Sequence, residues 1–113
     1  MQRLSLMALA VLLVIVLVVV GVHLAQVSDP YMKSVLALTG NPTQGEAIFQ
    51  MNCAGCHGLQ AHGKVGPSLE AISKRKSRVK LIHQVISGDT PPMPQFQPNS
   101  QEMADLLSYL EKL

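Results

Sequence analysis

The sequence predicts an all-α protein in which a single transmembrane helix precedes a small helical domain. Three observations carry this reading. Residues 4–22 contain 17 apolar residues out of 19. Beyond them, apolar residues recur three and four positions apart, and no stretch alternates with the period of two that a half-buried strand requires. Setting aside the first 25 positions leaves 88 residues, a size at which a core made of protein alone is marginal. There is no Trp, and there are only two Tyr and two Phe. These numbers argue against a multidomain enzyme and against a disordered chain, and they imply that something other than side chains helps to fill the core.

The first element, residues 1–25, reads as a membrane anchor. The apolar run of residues 4–22 matches a hydrocarbon core of roughly 30 Å at about 1.5 Å per residue. Arg3 and the α-amino group precede the run, whereas Asp29 and Lys33 cancel after it. The positive-inside rule therefore keeps the N-terminus in the cytoplasm and exports the rest. The competing reading is a cleaved signal peptide. A cut after Ala25 would put His23 where a small residue is wanted, and a cut after Gly21 stays open. Both readings deliver the domain to the non-cytoplasmic side.

Residues 26–42 read as a tether. Asp29-Pro30 is a helix-start pair and Gly40 a plausible stop, so residues 30–39 form a short helix carrying Met32, Val35, Leu36 and Leu38. Part helix and part extended chain, the tether would reach on the order of 40 Å. Residues 43–113 form the exported domain. Thr43 and Glu46 have capping-box spacing, which starts a helix near Gln44 that runs to about Cys53. Residues 54–67, with four glycines, read as loop. A short helix covers residues 68–73. Ser77 caps another that ends at Gly88, with Val79, Ile82, Val85 and Ile86 as its buried stripe. Residues 89–98 contain four prolines and cannot be regular helix. After Asn99 and Ser100, helical spacing resumes with Met103, Leu106, Leu107, Leu110 and Leu113.

The formal net charge of +2 is too small to indicate nucleic-acid binding. Its distribution is more informative: six of the nine Lys and Arg residues lie between positions 64 and 80, where Glu70 is the only acid. Lys74, Arg75, Lys76, Arg78 and Lys80 read either as a solvated face or as a docking patch that steers the domain toward an acidic redox partner. Anionic lipid headgroups are a third reading.

Cys53-Ala54-Gly55-Cys56-His57 carries the chemistry. Cys-x-x-Cys-His is the attachment signature of c-type haem. On a helical turn, residues three and four apart share a face, so Cys56 and His57 lie on the side of Cys53. Two thiols can then bond the haem vinyl groups, and the next imidazole ligates the iron. Covalent haem c would also supply the missing apolar core. Two other uses remain: a redox dithiol, which usually needs a thioredoxin-like fold, and half a zinc site completed by His57 with His62 or His83. A second axial ligand is expected from Met93, in Pro91-Pro92-Met93-Pro94, where prolines stiffen the loop that presents a thioether. His83 is its main rival. Met51 lies too close to Cys53 to reach the far face, and Met103 falls on the core stripe of the last helix.

Together these residues resemble class I c-type cytochromes over roughly residues 43–113. Gly45-Glu46-Ala47-Ile48-Phe49 leading into the Cys-x-x-Cys-His run is similar to that family's first helix. Gly66-Pro67-Ser68-Leu69 looks like its proximal loop, Met93-Pro94-Gln95-Phe96 like its methionine loop, and Leu107-Ser108-Tyr109-Leu110 like its last helix. Within the family, the anchor and the phrase Ile82-His83-Gln84-Val85-Ile86-Ser87-Gly88 look most like the small cyanobacterial cytochrome M type. Membrane-anchored bacterial cytochromes of the c-550 kind are the near alternative. The resemblance implies that the Pro67 carbonyl orients the haem histidine and that the last helix crosses the first around Gly45, Phe49 and Tyr109. It further implies a one-electron carrier, not an enzyme, of a photosynthetic or respiratory chain, in a thylakoid or plasma membrane with the haem domain lumenal or periplasmic. The alternatives are a haem sensor or small peroxidase with a displaceable sixth ligand, and a fixed haem-bearing subunit of a larger membrane complex.

Overall fold

The computed structural model describes the backbone of residues 1–113 and every side chain except those of Gln2 and Val27. The described residues form seven helices and no strand. Helix α1 (Gln2–Ser28) is apolar on all sides, and its side chains from 4 to 22 are exposed. Its stretch Arg3–Gln26 is long and apolar enough to cross a membrane, a property that signal sequences share.

Helix α2 (Pro30–Ala37) starts where expected. The Asp29 carboxylate accepts the Met32 N–H at 3.1 Å, and Pro30 occupies the first turn. Its ending and its role differ from the expectation. Leu38, in extended backbone, closes the helix. Gly40 instead serves close approach, since a Cβ there would lie 2.0 Å from the Ala104 carbonyl oxygen. Nor is α2 an extended arm. It packs on the last helix, burying Met32 and Val35, and the Tyr31 hydroxyl donates to the Pro98 carbonyl at 2.9 Å. Hydrophobic burial holds the segment down, where the local start and stop signals alone suggested a tether.

Helix α3 (Pro42–Asn52) is capped by Asn41, whose side-chain oxygen accepts the N–H groups of Thr43 at 2.9 Å and Gln44 at 3.4 Å. This replaces the expected Thr43–Glu46 box. Asn41-Pro42 begins the helix, because proline needs no N–H partner in the first turn. A four-residue turn, α4 (Ala54–His57), follows within the region read as loop. The next short helix, α5 (Ile72–Arg75), begins later than expected. Residues 68–71 are taken up by other bonds: Leu69 N–H donates to Ala61 at 2.8 Å, and Ala71 N–H donates to the Leu113 carbonyl at 2.9 Å.

Helix α6 (Arg78–Ser87) is capped by the Ser77 hydroxyl, which accepts from Lys80 N–H at 3.3 Å, and it stops at Gly88 with φ of 69°. Its most buried residues are Leu81, Ile82 and Val85, while Val79 and Ile86 are half-buried. Helix α7 (Ser100–Leu110) opens with a capping box between Asn99 and Glu102. The α3–α7 crossing is the most extensive contact between elements. A Cβ on Gly45 would lie 1.9 Å from the Asp105 carbonyl oxygen, and the Phe49 and Tyr109 rings meet at 5.2 Å. The crossing around Gly45, Phe49 and Tyr109 is therefore present, and it brings the C-terminal end of α3 to the functional site.

Candidate haem-binding site

Between α3, α6, α7 and the two loops lies a cavity of about 500 Å³. Phe49, Ile72, Leu81, Val85, Leu106 and Leu110 give it apolar walls. Cys53, Cys56, His57, Pro67 and Met93 all line it. These are the five residues singled out by motif and by resemblance, brought together from three separate stretches of chain.

The proximal side is built by backbone bonds. Cys53 carbonyl accepts from Cys56 N–H at 3.1 Å and from His57 N–H at 3.0 Å, closing the turn that gathers both thiols and the imidazole. Gly63 N–H donates to the His57 carbonyl and Gly66 N–H to the Cys56 carbonyl, each at 2.7 Å. The loop is thereby folded back on the motif. His57 is 8% exposed, and its Nδ1 lies 2.8 Å from the Pro67 carbonyl oxygen. A carbonyl only accepts, so Nδ1 carries the proton, and in the neutral ring Nε2 keeps its lone pair. That is the tautomer a metal-ligating histidine needs. Gly66 leaves room for the ring, since a Cβ there would lie 2.8 Å from Cε1.

Burial, with the adjacent Cys56 second, pushes the Cys53 thiol up to about 11. A redox dithiol requires the opposite shift, toward the thiolate. The zinc reading lacks donors, because no group of three or more His, Cys, Asp or Glu able to hold a metal ion occurs among the described residues. His62 sits 3.3 Å from Glu70 on the surface, and His83 is 3.8 Å from Asp89. Neither histidine lines the cavity.

The opposite wall carries Met93. Its N–H donates to the Thr90 carbonyl at 3.0 Å, closing a turn over Pro91 and Pro92. The loop is fastened to the end of α6 by Phe96 N–H to Val85 at 3.0 Å and by Gln95 Nε2 to Ile86 at 2.8 Å. These bonds use carbonyls that a helix end leaves unpaired. Met103 is buried in the core, as its position on the last helix implied, and Met51 is exposed.

Two residues escaped the sequence reading. Gln84 projects into the cavity from α6, and its position three after Leu81 and one before Val85, on the apolar stripe, was the available signal. Asp105 is buried and accepts from Asn41 N–H at 2.7 Å and from Gln101 Nε2 at 2.9 Å. Nothing in a single sequence separates it from a solvated acid.

Two thiols, an imidazole with a free nitrogen and a thioether around an apolar cavity make a donor set that fits haem c. The comparisons agree. The family model for cytochrome c oxidase, cbb3-type, subunit III matches residues 40–110. The chain is 64% identical over 85 residues to a cytochrome c-553-like protein of Synechocystis sp., covering 75% of this chain and 81% of that one. It is 29% identical over 70 residues to cytochrome c-551 of Bacillus subtilis, covering 62% of each chain. Among solved structures, cytochrome cL from Hyphomicrobium denitrificans matches with a TM-score of 0.55 and 22% identity, over 74% of this chain and 58% of that one. That last likeness concerns the fold. With its helical fold, its Cys-x-x-Cys-His motif and these relatives, the chain belongs to the c-type cytochrome family, electron carriers built around a covalently attached haem c.

Proposed function

We propose that this chain is a membrane-anchored, single-haem electron carrier of a photosynthetic or respiratory chain. In this reading, Cys53 and Cys56 would hold the haem through thioether bonds, His57 and Met93 would ligate its iron, and the Pro67 carbonyl orients His57. When bound, haem c supplies an iron that takes up and gives back one electron. The chain's own residues do the rest. The Nδ1–H bond to Pro67 holds the imidazole ring in one orientation and fixes its tautomer. The apolar walls exclude water, and the Thr90–Met93 turn presents the thioether. The single observation that carries the reading is the convergence of both cysteines, His57 and Met93 on one apolar cavity. With His57 and Met93 both placed to hold the iron, the donor set favours electron transfer over the sensor and peroxidase readings.

Helix α1 serves as the anchor, with Arg3 keeping the N-terminus cytoplasmic and the haem domain lumenal or periplasmic. Lys74, Arg75, Lys76 and Lys80 are exposed and form the docking face for an acidic redox partner. Arg78 contributes less to that face, since Glu111 pairs with it at 2.9 Å. The family model's description favours a second reading, a fixed haem-bearing subunit of a membrane complex. Co-purification in mild detergent separates a bound subunit from a free carrier.

The deciding experiment is the visible spectrum of the full-length protein, oxidised and reduced, before and after denaturation. Thioether attachment keeps the haem with the denatured chain. Methionine ligation adds a weak far-red sulfur-to-iron band in the oxidised protein. Met93→Ala should abolish that band, admit carbon monoxide to the ferrous iron and lower the potential; an unchanged spectrum and potential would sink the ligand assignment.

A further inference from the structure

We propose that helix α2 is a strap across the base of the methionine loop, and that Tyr31 on it is a positioning residue for Met93. The inference rests on Met93 ligation as proposed above. Helix α2 (Pro30–Ala37) precedes the stretch 40–110 that the chain shares with its family, so the strap is an addition to the family's domain.

The methionine loop, residues 89–98, is strung between α6 and α7, and α2 lies against both of those helices. It therefore spans the two ends of the loop. Pro98, at the loop's exit, is buried, and its carbonyl accepts the Tyr31 hydroxyl at 2.9 Å. Among the described residues no other donor reaches that carbonyl, and a buried carbonyl without one is costly. Next to it, Ser34 Oγ donates to the Tyr31 carbonyl at 2.8 Å. Its one hydrogen is then spent, so the Ser100 hydroxyl, 2.5 Å away, donates to Ser34. Gln101 Nε2 continues the line by donating to the Thr39 carbonyl at 3.1 Å. Met32 and Val35 are buried beneath these links. The Ser100 and Gln101 bonds fix the strap to α7, whereas the Tyr31 bond fixes the loop to the strap.

Stiffness carries the effect from Pro98 to Met93. Pro91, Pro92, Pro94 and Pro98 each lock one backbone rotation of the loop. A loop so stiffened swings about its ends instead of twisting at one residue. Gln95 and Phe96 tie it to α6, and Tyr31 ties its exit to α2. Swinging Met93 away from the iron strains both ties, so the strap opposes any added ligand that must displace the thioether.

The test uses full-length holoprotein carrying Tyr31→Phe and, separately, Ser34→Ala. Ferric protein is titrated with imidazole, with loss of the far-red band reporting departure of Met93 from the iron, and denaturant unfolding is measured alongside. Tyr31→Phe keeps the ring and loses the bond, and it should bind imidazole about fivefold more tightly, the effect of one ordinary hydrogen bond. Ser34→Ala loosens the strap itself and should give about a twofold gain; it carries the test if Tyr31→Phe does not fold. A purely structural bond would lower the unfolding midpoint and leave imidazole affinity unchanged, because only local opening of the loop admits the ligand in water. A wild-type protein with no far-red band would overturn the ligand assignment and this proposal together. A wild-type band, with imidazole affinity equal in wild type and Tyr31→Phe, would overturn the strap alone.

Discussion

The edge of the His57 imidazole lies where a side chain on Gly66 would begin, 2.8 Å from the would-be Cβ. The ring cannot yield easily, because its Nδ1 is held by the Pro67 carbonyl and the motif behind it by Gly66 N–H. Gly66→Ala should therefore reduce the yield of haem-bearing protein roughly tenfold, in line with the cost of overpacking a rigid site, as read from haem absorbance per protein. The Cys-x-x-Cys-His run was legible at this scale because its spacing follows from the chemistry of attachment. Gln84 and Asp105 were not, because their bonding partners lie elsewhere in the sequence: Met93 and Thr90 for one, Asn41 for the other.

The α3–α7 crossing depends on Gly45, whose missing Cβ lets the helices approach at the Asp105 carbonyl. Gly45→Ala should destabilise the domain by about 3 kcal/mol, the upper end for overpacking, as measured by denaturant unfolding. Helix α2 is fastened beside α7 by the Tyr31 hydroxyl, which donates to the Pro98 carbonyl in the loop that leads into that helix. Burial first, and Glu102 second, raise Tyr31 above its ordinary 10.0. The folded state thus holds this proton more tightly than the unfolded chain does. The stability it contributes is complete below pH 10.0 and is lost as pH rises through the higher folded value. Tyr31→Phe should cost about 1 kcal/mol at neutral pH through the lost bond and lose less stability than wild type in alkali, which unfolding curves on both sides of pH 10.0 would reveal.

Helix existence was readable from periodicity and caps: α2, α6 and α7 begin at Asp29, Ser77 and Asn99 as their residue types imply. Boundaries set by long-range bonds were not. The start of α5 is decided by Ala61 and Leu113, which no local pattern in residues 68–73 reveals. The docking of α2 was hidden for the same reason, since Met32 and Val35 find their burial against a helix some seventy positions later.

Across the whole molecule, charge is less concentrated than the run of basic residues suggests. Arg78 is paired with Glu111, and the Arg75 guanidinium is turned to the backbone carbonyls of Ser68 and Glu70. Lys74 and Lys80 remain exposed, and neither has an ion pair among the described residues. Lys74→Glu with Lys80→Glu should slow association with an acidic redox partner roughly tenfold at low ionic strength, and the difference should vanish at high salt; stopped-flow electron transfer measured against salt checks both. The docked α2 has a kinetic consequence as well. Helix α1 ends at Ser28 and α2 begins at Pro30, so a single residue joins the proposed anchor to the redox domain. On the proposed anchoring, such a carrier would search for its partner in two dimensions, by lateral drift across the bilayer plane. Its turnover would then be set by how many partners share each patch of membrane and how they face it, and hardly by the volume of the compartment above.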